Sequence, residues 1–126
     1  MDDIYQDHIL EHSRRPENRR VLPHADATAT AENSLCGDTL TIFLRIEKGE
    51  IADAGFTGEG CALSVASADI LCGRLRGMPE SATTALAPGN IYDMLGISVT
   101  PARSGCALLG LRALRAALSD KKKNDA

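Results

Sequence analysis

Apolar and polar positions alternate along two segments in the first half of the chain. Small residues alternate in this way over residues 25–32, and larger ones do so over residues 39–46. Because side chains two apart in a strand point to the same face, both segments are predicted to be half-buried strands. A turn at Lys48-Gly49 returns the chain through residues 51–56 as a hairpin partner. We therefore expect three antiparallel strands.

Helical patterns fill much of the remaining chain. The segment 61–76 is rich in Ala, Leu, Val and Ile and ends at Gly77-Met78-Pro79, which predicts a long helix. Strands followed by helices favour an α+β domain, in which a small three-stranded antiparallel sheet has helices packed on one face. We also expect an N-terminal helix and further C-terminal helices over residues 3–13, 80–87, 91–95 and about 103–118.

Composition agrees with one small domain. A chain of 126 residues with 44% hydrophobic residues can bury a single core. We assign residues 1–120 to that domain and residues 121–126, which begin with three lysines, to a polar tail. The aromatic share is 3% with no Trp, so the chain lacks the platforms on which nucleic-acid bases stack.

Charge and the N-terminal residues narrow the range of partners. A net charge of −3 provides no electrostatic footprint for nucleic acid or for an anionic membrane surface. The acidic start Met1-Asp2-Asp3 does not resemble a signal peptide, and no apolar run is long enough to span a membrane. We expect a cytoplasmic protein that binds neither nucleic acid nor membrane. Thiols stay reduced in that compartment, so the four cysteines point to metal binding or catalysis before disulfides.

Three of the cysteines lie at junctions between predicted elements, each beside a glycine. Cys36 precedes Gly37, and the side chain of Asp38, two residues on, points the same way in an extended chain. Cys61 and Cys106 lie near the starts of predicted helices, where unpaired N–H groups favour thiolate over thiol. Three thiolates and one carboxylate would complete a four-coordinate site for zinc or for an iron–sulfur cluster. A carboxylate holds a soft cluster iron less firmly than a thiolate, which suits a cluster that must leave.

Core packing is the competing interpretation of these cysteines. Cys is often a small buried hydrophobe, and the spacings of 25 and 45 residues match no zinc-finger pattern. Cys72 is assigned to the core, because a helix places it roughly 16 Å beyond Cys61, too far to share one metal.

The histidines offer weaker candidates. His8 and His12, four residues apart on a predicted helix, could hold a metal on one face, although surface or capping roles are more common. His24 beside Pro23 is a weaker candidate still. A nucleophile–base pair of Cys61 or Cys106 with His12 is a further alternative, which no local signature supports.

Several strings together resemble one known family. Residues 33–38, Asn-Ser-Leu-Cys-Gly-Asp, resemble its N-P-x-C-G-D motif with Ser34 in place of Pro, and residues 56–64 are similar to its F-x-G-x-G-C-A-I-S motif. Residues 101–107 look like the string P-A-R-x-K-C-A of one subtype. The match to this family, the NifU-like scaffolds of the IscU and SufU type, runs from about residue 4 to residue 118. The start of the chain resembles the opening pattern Y-x3-I-x2-H-x3-P-x-N through Tyr5, Ile9, His12, Pro16 and Asn18.

The resemblance implies an iron–sulfur cluster assembly scaffold rather than a stand-alone enzyme. Such a protein accepts sulfur from a pyridoxal-phosphate (PLP) dependent cysteine desulfurase, binds iron or a [2Fe–2S] cluster, and passes it to apo-proteins or cluster carriers. Zinc occupies the site when no cluster is present. The resemblance gives the ligand roles to four residues and leaves the persulfide acceptor open, since the SufU type points to Cys36 and the IscU type to Cys106. The ligands carried over are Cys36, Asp38, Cys61 and Cys106.

Two alternatives to the scaffold function remain open. The runner-up is a zinc-dependent sulfurtransferase that relays persulfide without building a cluster, and a structural zinc domain is the third possibility.

The chain departs from the family pattern in three places. Gly105 replaces the His of the IscU type and the Lys of the SufU type. Residues 99–103 replace the chaperone motif L-P-P-V-K, and the 45-residue spacing from Cys61 to Cys106 is that of the IscU type. The chain therefore mixes the two subtypes.

Overall fold

The structure, a computed structural model, describes residues 7–35 and 37–125, with no side-chain description after Lys121. Cys36 lies outside the described residues, as do residues 1–6 and Ala126. The prediction for Cys36, the first part of the predicted N-terminal helix and the motif position Tyr5 therefore have no structural description.

Three antiparallel strands form one sheet in the order β1-β2-β3. Strand β1 is Ala27–Asn33, β2 is Asp38–Glu47 and β3 is Glu50–Glu59. The β2–β3 hairpin turns at Lys48 and Gly49, whose φ angles of 53° and 78° are both positive. Positive φ at both central residues is what the tightest hairpin turns require, and glycine adopts it without strain. The predicted hairpin is confirmed, and its strands are longer than expected.

One described helix precedes the sheet and the others follow it, and their bounds differ from the prediction mainly at the C-terminus. The predicted last helix is divided at Leu108, whose backbone (φ −100°, ψ 1°) leaves the helical region. Its final part continues to Asp125, over residues predicted as a polar tail, and Lys121 pairs there with Glu80 at 3.8 Å. The helices are α1 Asp7–Arg14, α2 Ala62–Leu75, α3 Glu80–Thr84, α4 Pro88–Leu95, α5 Ser104–Ala107 and α6 Leu109–Asp125, with a 3₁₀ turn at Pro101–Arg103 before α5.

One face of the sheet is buried beneath α2 and α6. Along β2, Leu40, Ile42 and Leu44 are buried, while Arg45 on the alternate set is exposed. Helix α2 is buried around most of its circumference, which explains why its sequence is apolar with little helical periodicity. The predicted α+β class, with its three-stranded antiparallel sheet, is confirmed. Within the described part of the chain, no helix is both long and apolar enough to cross a bilayer.

Cys72 lies in this core, as predicted. It is fully buried on α2, and burial, reinforced by the nearby Asp69 carboxylate, raises the pKa of its thiol to about 12. A thiol with this pKa stays protonated at neutral pH, so Cys72 contributes packing and neither a ligand nor a nucleophile.

A buried polar network fixes α1 against α2. The carboxylate of Asp69, which is 1% exposed, accepts hydrogen bonds from the backbone N–H and the side-chain amide of Asn18 at 2.8 and 2.9 Å. Nδ1 of His12 lies 2.5 Å from the other carboxylate oxygen. A buried carboxylate is tolerated only when its oxygens are paired in this way. His12 is thus engaged in holding the N-terminal helix.

Arg76 extends the network to the sheet. Its guanidinium donates to the side-chain oxygen of Asn18, to the backbone oxygen of Ala54 at 3.0 Å and to Asp53 at 2.9 Å. Arg20 also donates to Asp53, at 2.8 Å. Partial burial raises the pKa of Asp53, but the hydrogen bonds from Arg76 and Arg20 outweigh it, so that the pKa lies below its ordinary value of 3.8.

Replacing Asp53 with Asn should make the free energy of unfolding depend less on pH in the acidic range. A lowered carboxyl pKa contributes stability above the unfolded pKa of 3.8 and loses it as the pH falls through the folded pKa. We expect D53N to lower the free energy of unfolding by about 1 kcal/mol near neutral pH, with the difference vanishing in acid. Urea unfolding at a series of pH values from neutral down to below 3.8 measures this difference. The matched control is Glu47→Gln, which removes an exposed ion pair with Arg45 and should change the free energy of unfolding little. An equal loss of stability at every pH for D53N would contradict the lowered pKa of Asp53.

Candidate metal centre

The first side of the site is the connection between β1 and β2. Asn33, the last residue of β1, pairs in register with Asp38, the first of β2. Its backbone oxygen accepts the N–H of Gly37 at 2.8 Å, and Gly37 adopts φ 73°. This contact brings the start of β2 against the end of β1 and places Asp38, which is 6% exposed, at the end of the sheet.

The second side is the junction of β3 with α2. Cys61 is the N-terminal cap residue of α2, and its backbone oxygen accepts the first helical hydrogen bond, from Val65 at 3.1 Å. A Cβ atom on the preceding Gly60 would lie 2.9 Å from Cβ of Ser64 and 3.3 Å from Cγ of Asp38. Glycine is therefore required for the chain to pass this close to Asp38. The Cys61 side chain remains partly exposed.

The third side is α5, which carries Cys106. Cys106 is buried, with 7% of its surface exposed, and follows Gly105. A Cβ atom on Gly105 would approach the side-chain nitrogen of Asn33 to 2.9 Å. This close contact holds α5 against the end of β1 and brings Cys106 to the other two sides.

The three sides meet at one point. Asp38, Cys61 and Cys106 each offer a ligand atom, and these atoms all lie within 4.8 Å of one another. No other group of three or more His, Cys, Asp or Glu side chains in the described ranges has this spacing. Zinc binds sulfur at about 2.3 Å, so two tetrahedral sulfur ligands stand about 3.8 Å apart, which needs only a small contraction. The donor set of two thiolates and a carboxylate fits zinc or cluster iron.

Ser64 orients the carboxylate in this cluster. Its hydroxyl donates to Oδ2 of Asp38 at 2.7 Å, and the backbone N–H of Cys61 donates to the same oxygen at 3.4 Å. The described contacts thus occupy Oδ2, which leaves Oδ1 for a metal. Ser64 Oγ also lies 3.4 Å from Cys61 Sγ. This role of Ser64 is not predicted from the sequence, although its position three residues after Cys61 in the first turn of a helix is a signal for it.

The histidine candidates lie elsewhere. Nε2 of His8 lies 2.5 Å from the backbone oxygen of Leu95, and Nδ1 of His12 contacts Asp69. Asp69 follows Cys61 by eight residues on α2, or about 12 Å along the helix axis, so this contact directs His12 away from the cluster. His24 is exposed in a loop with φ 61°. None of the three joins the group that contains the cysteines, and a Cys–His pair gains no support.

These features define a class: a small α+β domain in which two thiols and a carboxylate meet where the sheet joins its helices. The chain belongs to the family described as the NifU-like N-terminal domain, whose model matches residues 4–126. The resemblance of its motifs to the NifU-like scaffolds is thereby confirmed.

Relatives of both subtypes match most of the chain. It is 30% identical to the zinc-dependent sulfurtransferase SufU of Bacillus subtilis, over 90% of this chain and 88% of that protein. It is also 30% identical to the iron–sulfur cluster assembly scaffold protein IscU of Thermotoga maritima, over 91% of this chain and 92% of that protein. The crystal structure of the N-terminal part of a nitrogen-fixing NifU-like protein from Brucella abortus superposes with a TM-score of 0.79 and 26% identity. That superposition covers 97% of this chain and 96% of that one.

Replacing Ser64 with Ala tests whether its hydroxyl orients Asp38. The change leaves a buried carboxylate oxygen without its shortest hydrogen bond, so we expect a loss of about 1–3 kcal/mol in unfolding free energy. We also expect about tenfold weaker zinc binding, because a ligand loses its outer support. Chelator competition and urea unfolding measure the two effects.

The chain offers a matched control for this variant. Ser67, one turn along α2, is equally buried and donates to the backbone oxygen of Ala107 at 2.7 Å. Ser67→Ala should lower stability to a similar extent and leave zinc affinity unchanged. Equal zinc affinity in the two variants would show that Ser64 only contributes packing.

Proposed function

We propose that this protein is an iron–sulfur cluster assembly scaffold of the cytoplasm. It accepts sulfur from a PLP-dependent cysteine desulfurase, binds iron or a [2Fe–2S] cluster, and transfers the product to apo-proteins or cluster carriers. The observation that carries the proposal is the meeting of Asp38, Cys61 and Cys106 within 4.8 Å, at positions that match the family motifs. Relatives named as IscU scaffolds support the same function.

Four residues are proposed as ligands of the cluster, with zinc in the same site when no cluster is present. Cys36 is the proposed fourth ligand, because it precedes the described Gly37 and Asp38 in the motif. Bound zinc or iron would supply positive charge that keeps the thiols deprotonated. Asp38 would be the weakest ligand to soft cluster iron, since it provides a hard oxygen in place of a sulfur.

Sulfur acceptance needs a thiolate that a partner's persulfide can reach. The acceptor thiolate attacks the terminal sulfur of the desulfurase persulfide, a new S–S bond forms, and the desulfurase cysteine leaves as a thiolate. Cys106 is 7% exposed, so α5 would have to move before a partner's sulfur could reach it. This burial counts against Cys106 as the acceptor, and the choice between Cys36 and Cys106 stays a proposal.

A zinc-dependent sulfurtransferase shuttle is the second candidate function. The relative from Bacillus subtilis carries this description at 30% identity, and the string at residues 101–107 is of the SufU type. In this version the site residues hold zinc permanently, and persulfide is relayed with no cluster formed. Metal and acid-labile sulfide content of protein purified without oxygen separates the two functions.

Anaerobic reconstitution tests the scaffold function. With iron, cysteine and a desulfurase, the wild type should gain visible charge-transfer absorption and acid-labile sulfide. Cys61→Ala and Cys106→Ala should each lose most of both, because each removes a thiolate from a shared site. Cys72→Ala is the matched control and should keep both, since Cys72 is a buried core residue. A colourless wild-type product with intact thiols would count against a scaffold.

Metal removal should lower thermal stability. Folded protein presents the assembled site and the unfolded chain does not, so metal at 1,000 times its Kd adds about 4 kcal/mol. For a domain of this size that corresponds to a Tm decrease of about 10 °C or more on chelation. Calorimetry before and after verified metal removal measures it. A C61A/C106A double variant should show no response to chelator, and an unchanged wild-type Tm would contradict the proposed site.

A further inference from the structure

Gly105 and Asn33 are in unusually close contact beside the candidate metal centre. A Cβ atom at position 105 would lie 2.9 Å from Nδ2 of Asn33 and 3.5 Å from its Cγ. The family subtypes have His or Lys at this position, as noted above. In this chain, where position 105 has no side chain, the carboxamide of Asn33 at the end of β1 occupies the space beside Cys106.

The contacts of Asn33 determine which way its carboxamide points. Oδ1 accepts the backbone N–H of Leu35 at 3.2 Å, so the NH2 group points the other way, towards Cys106. Nδ2 lies 4.0 Å from Cys106 Sγ, at the outer limit of an N–H···S contact. Asn33 is 9% exposed, and its backbone oxygen also accepts the N–H of Gly37. One residue therefore connects the turn at residues 34–37 with a sulfur of the site.

We propose that Asn33 is a positioning residue of the metal centre, which donates an N–H to the Cys106 sulfur, and that Gly105 is small in order to admit it. The inference rests on the proposed metal site. A donor to a thiolate stabilises its filled sulfur orbitals, so it tunes both metal affinity and the energy of sulfur-to-metal charge transfer. The donor lies at the end of β1, more than seventy residues before Cys106 in sequence.

A purely structural role for Asn33 makes a different prediction. The residue would then serve only to close the β1–β2 turn through Oδ1, and its NH2 group would be incidental. Asn33→Asp keeps an acceptor for the Leu35 N–H and removes the donor to sulfur. Gly105→Ala keeps Asn33 and displaces its carboxamide, because the added methyl group requires the space of Nδ2.

Cobalt substitution separates the two roles. Co²⁺ is added to the metal-free wild type and to N33A, N33D, G105A and the double variant N33A/G105A. Charge-transfer bands and chelator-competition affinities are recorded for zinc and cobalt. We expect N33A, N33D and G105A to shift the thiolate-to-cobalt bands to lower energy, and N33A and G105A to bind each metal about tenfold more weakly. The negative charge added in N33D attracts the cation and should offset part of that loss. Adding G105A to N33A should cause no further band shift, because the methyl group acts through Asn33.

The outcomes distinguish this inference from the proposed function. A wild type that binds neither Co²⁺ nor Zn²⁺ would overturn the metal site itself and the inference with it. Wild-type binding with unshifted bands in N33D and G105A would overturn the role of Asn33 alone and leave the metal site standing. If N33A does not fold, N33D and G105A still decide the question, since N33D keeps a side-chain acceptor for the Leu35 N–H and G105A keeps Asn33 itself.

Discussion

The Asp38 carboxylate is the constraint on which the arrangement of the site depends. It is buried at the start of β2, where an unpaired charge would be costly, and it is held by the Ser64 hydroxyl and the Cys61 N–H. These two hydrogen bonds tie the first strand position of β2 to the first turn of α2. They also place the carboxylate beside two sulfurs. Ionisation of both thiols would gather three negative charges within 4.8 Å, an arrangement that a bound cation stabilises.

Close packing at two glycines makes this convergence possible. Gly60 allows the chain to pass Asp38, and Gly105 allows α5 to lie against Asn33. In both cases the glycine directly precedes a cysteine of the cluster. A side chain at position 60 would collide with Cβ of Ser64 and approach Asp38 closely, whereas a side chain at position 105 would displace the carboxamide of Asn33. Gly60 is thus a packing requirement of the site, and Gly105 leaves room for Asn33.

The other end of α2 has a structural function. Asp69 is paired with His12 and Asn18, and Arg76 continues these contacts to Asp53 on β3. Both His12 and Asn18 belong to the N-terminal motif that resembles the family pattern. Their contacts fix α1 on α2 and leave the chemistry to the opposite end. The same helix therefore carries the site at its N-terminus and the attachment of the N-terminal helix near its C-terminus.

Local pattern alone was enough for the three strands, the long helix α2 and the core position of Cys72, while the ligand roles of Asp38, Cys61 and Cys106 stay predictions. These features depend on periodicity and on neighbours within a few residues. The ligand role of Cys36 and the boundary at residue 120 stay predictions. The break at Leu108, the extension of α6 to Asp125, and the parts taken by Ser64, Asn33 and His12 emerged only from the folded chain. The parts taken by Ser64, Asn33 and His12 depend on contacts between segments far apart in sequence, and the spacing of residues along a chain does not show which distant surfaces will pack together.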